Sequence, residues 1–159
     1  MTHIVGNTVI PEIMSEEVNE LEVLLRIRKR EYDGEKYGVI TELIDDVIVS
    51  LKDLIFEELI ATDEKLIGLD REHCQTAAEC ERLYELIEEF PDFIFGNTGE
   101  FPDGMDAILE SDSVYTELKK SYAESKYKES ALISEIERYS DRLINDWIVK
   151  IKDYAMKRI

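Results

Sequence analysis

The sequence predicts an all-α protein, a compact bundle of four to six helices with a short N-terminal arm and a long C-terminal helix or helix pair. Only three prolines and seven glycines interrupt the 159 residues. Apolar residues recur at spacings of three and four, which is the helix period. A hydrophobic content of 44% is enough to bury a core. Because the length is that of one ordinary domain, residues 1–159 are expected to form a single helical domain.

The first eleven residues, Met1–Pro11, are predicted to form an extended arm or hairpin, because β-branched residues flank Gly6 and Asn7. The arm lacks the Lys or Arg that begins a secretory signal, and its apolar run is far shorter than the roughly 20 residues that span a bilayer. Cys74 and Cys80 lie too far apart along one helix to form a disulfide. Together these features predict a cytoplasmic protein with two reduced thiols.

The first helix is predicted to begin at Ser15 as its N-cap and to stop at Asp33-Gly34. Its apolar period is formed by Met14, Val18, Leu21 and Leu25. Its last turn carries a basic cluster whose charges complement the negative end of the helix dipole, formed by Arg26, Arg28, Lys29 and Arg30.

The second helix is predicted from Lys36 to Ile60. It is apolar on two sides, which favours a central or covered position in the fold. The wider side has Ile40, Leu43, Ile44, Val47, Ile48, Leu51, Leu54 and Ile55, and the other has Val49, Phe56 and Ile60.

The third helix is predicted from Arg71 to Phe90, with Asp70 as its cap. Its predicted inward residues are Cys74, Ala77, Ala78, Leu83, Leu86 and Ile87. Residues 90–105 are predicted to form a loop, because two prolines and three glycines fall there together with four of the five phenylalanines.

The C-terminal third is predicted to be helical from a cap at Asp112 or Ser113 almost to Ile159, after a short helical turn around Asp106–Glu110. The pattern weakens between Ser125 and Glu129, so one long helix and two shorter helices both stay open. The inward set is Tyr115, Leu118, Tyr122, Leu132, Ile136, Tyr139, Leu143, Trp147, Ile151 and Tyr154.

The negative charge is concentrated in the middle of the chain. Of the net charge of −18, residues 61–112 contribute −12, from 15 acids and 3 bases, whereas residues 113–159 are slightly basic at +2. This composition argues against direct binding of nucleic acid, which needs clustered Lys and Arg, and against adhesion to anionic membranes. It favours a basic protein partner, drawn in by long-range attraction.

The predicted partner-binding site combines these acids with neighbouring aromatic side chains that would serve as apolar anchors. Its residues are Asp70, Glu72, Glu79, Glu81, Glu85, Glu88, Glu89, Asp92, Phe93, Phe95 and Phe101. The leading hypothesis is therefore a non-enzymatic protein without a cofactor that blocks a basic site on a nuclease or another nucleic-acid-binding protein. In composition the chain is similar to anti-CRISPR and anti-restriction proteins and to toxin-immunity proteins.

An alternative enzymatic hypothesis depends on two carboxylate pairs. Glu17 and Glu20 are separated by 21 residues from Glu42 and Asp45, and residues 16–56 resemble the all-α nucleotide pyrophosphatases of the MazG type. In that family Glu-x-x-Glu and Glu-x-x-Asp pairs on two helices hold Mg²⁺ ions that bind substrate phosphates, so the resemblance implies Mg²⁺ at these four residues. A third hypothesis is a homodimer formed through the second or the last helix.

Overall fold

The computed structural model describes residues 3–5, 8–96 and 102–159, with side chains described from Ile10 onward. In this part of the chain two short strands precede five α-helices, which confirms the predicted all-α class and the number of helices. The elements are β1 (His3–Val5), β2 (Thr8–Ile10), α1 (Ser15–Arg30), α2 (Tyr37–Thr62), α3 (Glu64–Phe95), α4 (Met105–Ser111) and α5 (Ser113–Lys157).

The chain divides into two compact units. The first unit comprises Met1–Ile67 and Arg138–Ile159, and the second comprises Gly68–Glu137. Helices α3 and α5 each contribute residues to both units. A single domain therefore stays a prediction, and each unit is described by itself.

In the first unit, the N-terminal arm is an antiparallel strand pair. His3 lies opposite Ile10 and Val5 lies opposite Thr8. Ile10 is buried at the end of this pair. The prediction of an extended arm or hairpin is thus confirmed for the described residues.

The predicted cap at Ser15 is wrong, because a short 3-10 helix, Glu12–Met14, leads directly into α1. The amide of Met14 donates to the carbonyl of Pro11 at 3.0 Å, so the chain is already turning when α1 begins. Ser15 is the first residue inside the helix, and no side chain caps this end.

Helices α1 and α2 bury matching apolar sides. The four predicted inward residues of α1 are all buried. On α2 the prediction is wrong for Leu43, which is 45% exposed, and the second apolar side reaches water at Val49, which is 59% exposed. The α2 residues that are buried are Ile40, Ile44, Val47, Ile48, Leu51, Ile55 and Leu59.

A buried carboxylate ties α1 to the residue that follows α5. Glu22 accepts hydrogen bonds from Arg26 at 2.8 Å and from Arg158 at 3.0 Å. The hydrogen bond to Glu22 is the main reason that the pKa of Arg158 lies above its ordinary value. Charge-assisted bonds of this kind are stronger than neutral ones, and Glu22 thereby satisfies both of its oxygens although it is buried.

The connection between α2 and α3 is the single residue Asp63, in an extended conformation. One oxygen of its carboxylate accepts the backbone amide of Leu66 at 2.9 Å, which is the bond of a helix cap. The same carboxylate accepts the hydroxyl of Tyr139 on α5 at 3.0 Å. Burial and this bond to Asp63 raise the pKa of Tyr139 above its ordinary value.

Helix α3 is longer at both ends than predicted. It begins at Glu64, so Asp70 lies inside the helix and is not its cap. It continues through Pro91 to Phe95, so the predicted loop is wrong for residues 90–95. The helix ends at Gly96, which has a φ of 83° and donates its amide to the carbonyl of Asp92 at 2.8 Å. A left-handed glycine is a common helix terminator because it lacks a Cβ.

The inward face of α3 also differs from the prediction. Cys74, Ala78 and Leu86 are exposed, whereas Leu83 is buried as predicted. The residues of α3 that are buried are Leu66, Thr76, Cys80, Leu83 and Phe90.

Helix α5 is one continuous helix of 45 residues, about 67 Å long at the usual rise per residue. Asp112 is confirmed as its cap, since its carboxylate accepts the amides of Val114 at 2.9 Å and Tyr115 at 3.1 Å. All ten predicted inward residues are buried or half-buried. The helix does not break at Ser125–Glu129, because the polar residues there include good helix formers and an ion pair of 3.3 Å between Lys126 and Glu129.

Among the described residues, no helix combines the length and the apolar character that a bilayer-spanning segment requires.

The burial of α2 predicts a difference between two leucines on the same helix. Leu51 is fully buried and Leu43 is 45% exposed. Leu51→Ala should lower the free energy of unfolding by about 2–5 kcal/mol, because a buried cavity replaces the side chain. Leu43→Ala should lower it by less than about 1 kcal/mol, since most surface substitutions have small effects. Urea denaturation of both variants gives the comparison, and equal losses would contradict the described burial of α2.

Candidate functional site

Five predicted acids lie together on the solvent side of α3, in the second unit. Glu81, Glu85, Glu88, Glu89 and Asp92 follow one another at spacings of three, four and one, which places them on one side of the helix. The four glutamates are exposed and Asp92 is half-buried. These five residues are called the acidic stripe below. The stripe covers about 16 Å of the helix axis.

The acidic stripe forms no ion pairs with the Lys and Arg side chains that the structure describes. Within residues 10–96 and 102–159, no Lys or Arg nitrogen lies within 4.0 Å of a carboxylate of Glu81, Glu85, Glu88, Glu89 or Asp92. The nearest guanidinium along the sequence, that of Arg82, binds a different residue, Glu79. Among the described residues, the stripe is therefore a line of carboxylates without ion-pair partners.

Glu72 and Glu79 lie outside the acidic stripe and have cationic partners. Arg82 donates to both oxygens of Glu79, at 2.7 and 3.1 Å, and this contact holds the pKa of Glu79 below its ordinary value. Lys128 on α5 lies 3.5 Å from the carboxylate of Glu72. These two predicted site residues thus take part in ion pairs within the unit. The remaining acid, Asp70, lies beside His73 and Cys74.

The three phenylalanines of the predicted site differ in their exposure to solvent and in whether the structure describes them. Phe93 is 83% exposed, one turn after Glu89, whereas Phe95 is half-buried. Phe101 lies outside the described residues. Phe90, which was not predicted as a site residue, is buried, with its ring centre 5.4 Å from that of Tyr115 and 6.2 Å from that of Phe93.

Leu86 is an exposed apolar residue that the sequence analysis assigned to the core. It is 39% exposed and lies seven residues before Phe93, hence on the same side of α3. Both residues border the acidic stripe, since Leu86 lies three residues before Glu89 and Phe93 four residues after it. Apolar spacing does not reveal this exposure, because Leu86 lies three residues after Leu83 and four before Phe90, in phase with these buried residues.

Two clefts contain residues that sequence reasoning did not predict as sites. In the second unit, a cleft of about 280 Å³ lies around the rings of Tyr84 and Tyr122, whose centres are 6.0 Å apart, together with Lys126. In the first unit, a cleft of about 550 Å³ is lined by Arg26, Lys29, Arg30, Arg158 and Ile159. Three cations of the basic cluster at the end of α1 thus share this cleft with Arg158, a cation from the far end of the chain. No periodicity reveals that cation, because Arg158 approaches α1 only in the folded structure.

The four carboxylates of the alternative hypothesis lie on two helices of the first unit. Glu17 and Glu20 lie on α1, and Glu42 and Asp45 lie on α2. Three of them are exposed, and Glu17 is half-buried with one buried oxygen, Oε2, that has no hydrogen-bond partner. In the part of the chain that the structure describes, no three of these carboxylates lie within 4.8 Å of one another.

Three donor atoms of the metal-binding type do converge elsewhere. Asp70, His73 and Cys74 each have one such atom within 4.8 Å of the other two, the single group of this kind among residues 10–96 and 102–159. No metal site was predicted at these three residues from the sequence.

No model of a known protein family, no curated protein and no solved structure matches this chain.

The two cysteines of α3 should differ strongly in reactivity. Cys74 is exposed, whereas Cys80 is 3% exposed, and burial raises the pKa of its thiol above the ordinary value. Because the thiolate is the nucleophile, Cys80 has less of the reactive form near neutral pH and is also shielded from reagents. A disulfide reagent such as DTNB should label one thiol rapidly and the second only on unfolding. Rapid labelling that persists in Cys74→Ser would contradict this assignment.

Proposed function

We propose that the chain is a non-enzymatic, cytoplasmic binding protein whose acidic stripe occupies a basic, nucleic-acid-binding site on a partner protein. The proposal places it in the same functional class as anti-CRISPR, anti-restriction and toxin-immunity inhibitors. The observation that carries it is the line of five carboxylates on α3, which have no cationic partners in the described residues.

The spacing of these carboxylates is close to that of nucleic-acid phosphates. Five charges over about 16 Å of the helix axis correspond to one charge per 3–4 Å. One strand of DNA has one phosphate per about 3.4 Å of its axis. A protein groove that is lined by Lys and Arg and binds one nucleic-acid strand would therefore meet a similar density of negative charge on this helix.

Repulsion within the acidic stripe lowers the stability of the helix, so the stripe is better explained by a role in binding than by a role in folding. Glu81 and Glu85, Glu85 and Glu89, and Glu88 and Asp92 are like-charged pairs four residues apart. Each such pair destabilises an isolated helix by about 0.2–0.5 kcal/mol. No described cation forms an ion pair with these residues. Repulsion of this kind is relieved when a basic partner binds, so the stripe favours the bound state over the free one.

Exposed apolar residues beside the stripe supply the short-range part of the proposed contact. Leu86 and Phe93 lie on one side of it, and Phe93 is the most exposed of the apolar side chains of α3. Long-range attraction mainly raises association rates, whereas desolvated aromatic anchors slow dissociation. Together they would give both rapid capture and retention of the partner.

Charge reversal at the acidic stripe tests the electrostatic part. The partner is first captured from the native host with the tagged chain and identified by mass spectrometry. Replacement of Glu81, Glu85, Glu88 and Glu89 by Lys should then lower the association rate constant at least about tenfold at low salt and flatten its salt dependence, because steering is lost.

The matched control reverses four exposed acids of the first unit instead, namely Glu20, Glu42, Asp45 and Asp46. It changes the net charge equally but leaves the acidic stripe intact, so its association rate should stay within about threefold of the original. Equal slowing by both variants would mean that only net charge matters, and unchanged kinetics in the stripe variant would refute the proposal. Sedimentation of each variant at two concentrations excludes a change in self-association as the cause.

The apolar part is tested at Phe93. Phe93→Ala should raise the dissociation rate constant at least about tenfold, with little effect on association, because a buried aromatic anchor is lost without a change in charge. Val114→Ala, at another exposed apolar residue of the second unit, serves as the control. Surface plasmon resonance with the captured partner gives both rates, and an unchanged dissociation rate for Phe93→Ala would exclude this residue as an anchor.

A further inference from the structure

Three different metal-binding side chains converge within one turn of α3. Asp70, His73 and Cys74 occupy positions i, i+3 and i+4, which lie on the same side of a helix. One ligand atom from each, an Asp oxygen, a His nitrogen and the Cys sulfur, lies within 4.8 Å of the other two. The three donors come from five consecutive residues of one helix, so the group does not depend on contacts between distant parts of the chain.

The distances suit one tetrahedral metal ion. With metal–nitrogen and metal–oxygen bonds of about 2.1 Å and a metal–sulfur bond of about 2.3 Å, donors of a tetrahedral zinc ion lie about 3.4–3.6 Å apart. Small rotations of exposed side chains bring atoms that already lie within 4.8 Å to this separation. The ring of His73 is half-buried and would fix the direction of approach.

The chemistry of the donors selects the ion. Mg²⁺ and Ca²⁺ bind oxygen ligands, whereas a set of thiolate, imidazole and carboxylate suits the borderline-soft Zn²⁺. Cysteine binds as the thiolate, so the thiol proton passes to solvent. The thiolate and carboxylate together then balance the two positive charges of the ion, in a segment that is otherwise strongly acidic.

We propose that Asp70, His73 and Cys74 form a three-ligand site for Zn²⁺, with water in the remaining coordination position. The site lies about 16 Å along the helix axis from the start of the acidic stripe, taking the usual rise over the eleven residues from Asp70 to Glu81. It shares no residue with the stripe, so it stands or falls independently of the proposed function.

Cys80 gives a matched control within the same helix. It is the second cysteine, but it is buried, lies six residues after Cys74 and is outside the converging group. If the metal bound any thiol of α3, Cys80→Ala would weaken metal binding. If the metal binds at the proposed site, Cys80→Ala leaves its binding unchanged. Glu81→Gln with Glu85→Gln provides the second control, for loose binding to carboxylates.

Titration of the full chain with Co²⁺ and Zn²⁺ under reducing, oxygen-free conditions tests the site. Co²⁺ should give a thiolate-to-metal charge-transfer band in the near ultraviolet, and one equivalent of Zn²⁺ per chain should abolish it. Cys74→Ser should abolish the band. His73→Ala and Asp70→Asn should keep the band but weaken Zn²⁺ binding, His73→Ala by at least about tenfold, since loss even of a group that only positions a ligand costs that much.

The site is overturned if the original chain shows no charge-transfer band, or if Cys74→Ser and His73→Ala bind Zn²⁺ as tightly as the original chain. It is also overturned if Cys80→Ala or the double glutamine variant weakens binding as much as Cys74→Ser does. Circular dichroism of each variant confirms that the helices are intact, so that loss of binding reports on the ligands and not on the fold.

Discussion

The arrangement of α3 depends on Asp63, the one residue between α2 and α3. Its carboxylate accepts the amide of Leu66 and so satisfies a group that the start of a helix leaves without a partner. The hydroxyl of Tyr139 donates to the same carboxylate, which fixes this side chain from the other side. Because each residue of a continuous helix is rotated by a constant angle from the last, the acidic stripe and the Asp70–His73–Cys74 group have fixed angular positions relative to each other along α3.

The sequence predicts most of the helices because their apolar period is long and regular. The inward face of α1 was confirmed at every predicted position, and the ten predicted residues of α5 are all at least half-buried. The errors are at places where a local signal was ambiguous. Asp70 was predicted as the cap of α3, but the helix already begins at Glu64 and runs through Gly68. The structure shows that one glycine does not interrupt this helix, as expected from its moderate cost.

The C-terminal end of α3 shows why a proline is an incomplete stop signal. Pro91 lacks an amide hydrogen, so the helix loses one bond, and the following residues still continue it as far as Phe95. The true stop is Gly96, whose left-handed backbone a side chain would strain. This extension places Phe93 on a helix instead of in a loop, and so brings it into register with Leu86. The convergence of Arg158 with Arg26 on Glu22 could not be predicted in this way, because no sequence spacing relates residues so far apart.

The free charge of the acidic stripe also limits how copies of the chain can meet. Two such stripes repel each other, so an assembly of two chains forms with these faces apart, whichever other helix supplies the contact. A pair of chains would then present two equivalent acidic stripes. Under the proposed function, a partner with repeated basic sites would bind both stripes at once, and the second contact, made at high effective concentration, would multiply the avidity without any new kind of contact.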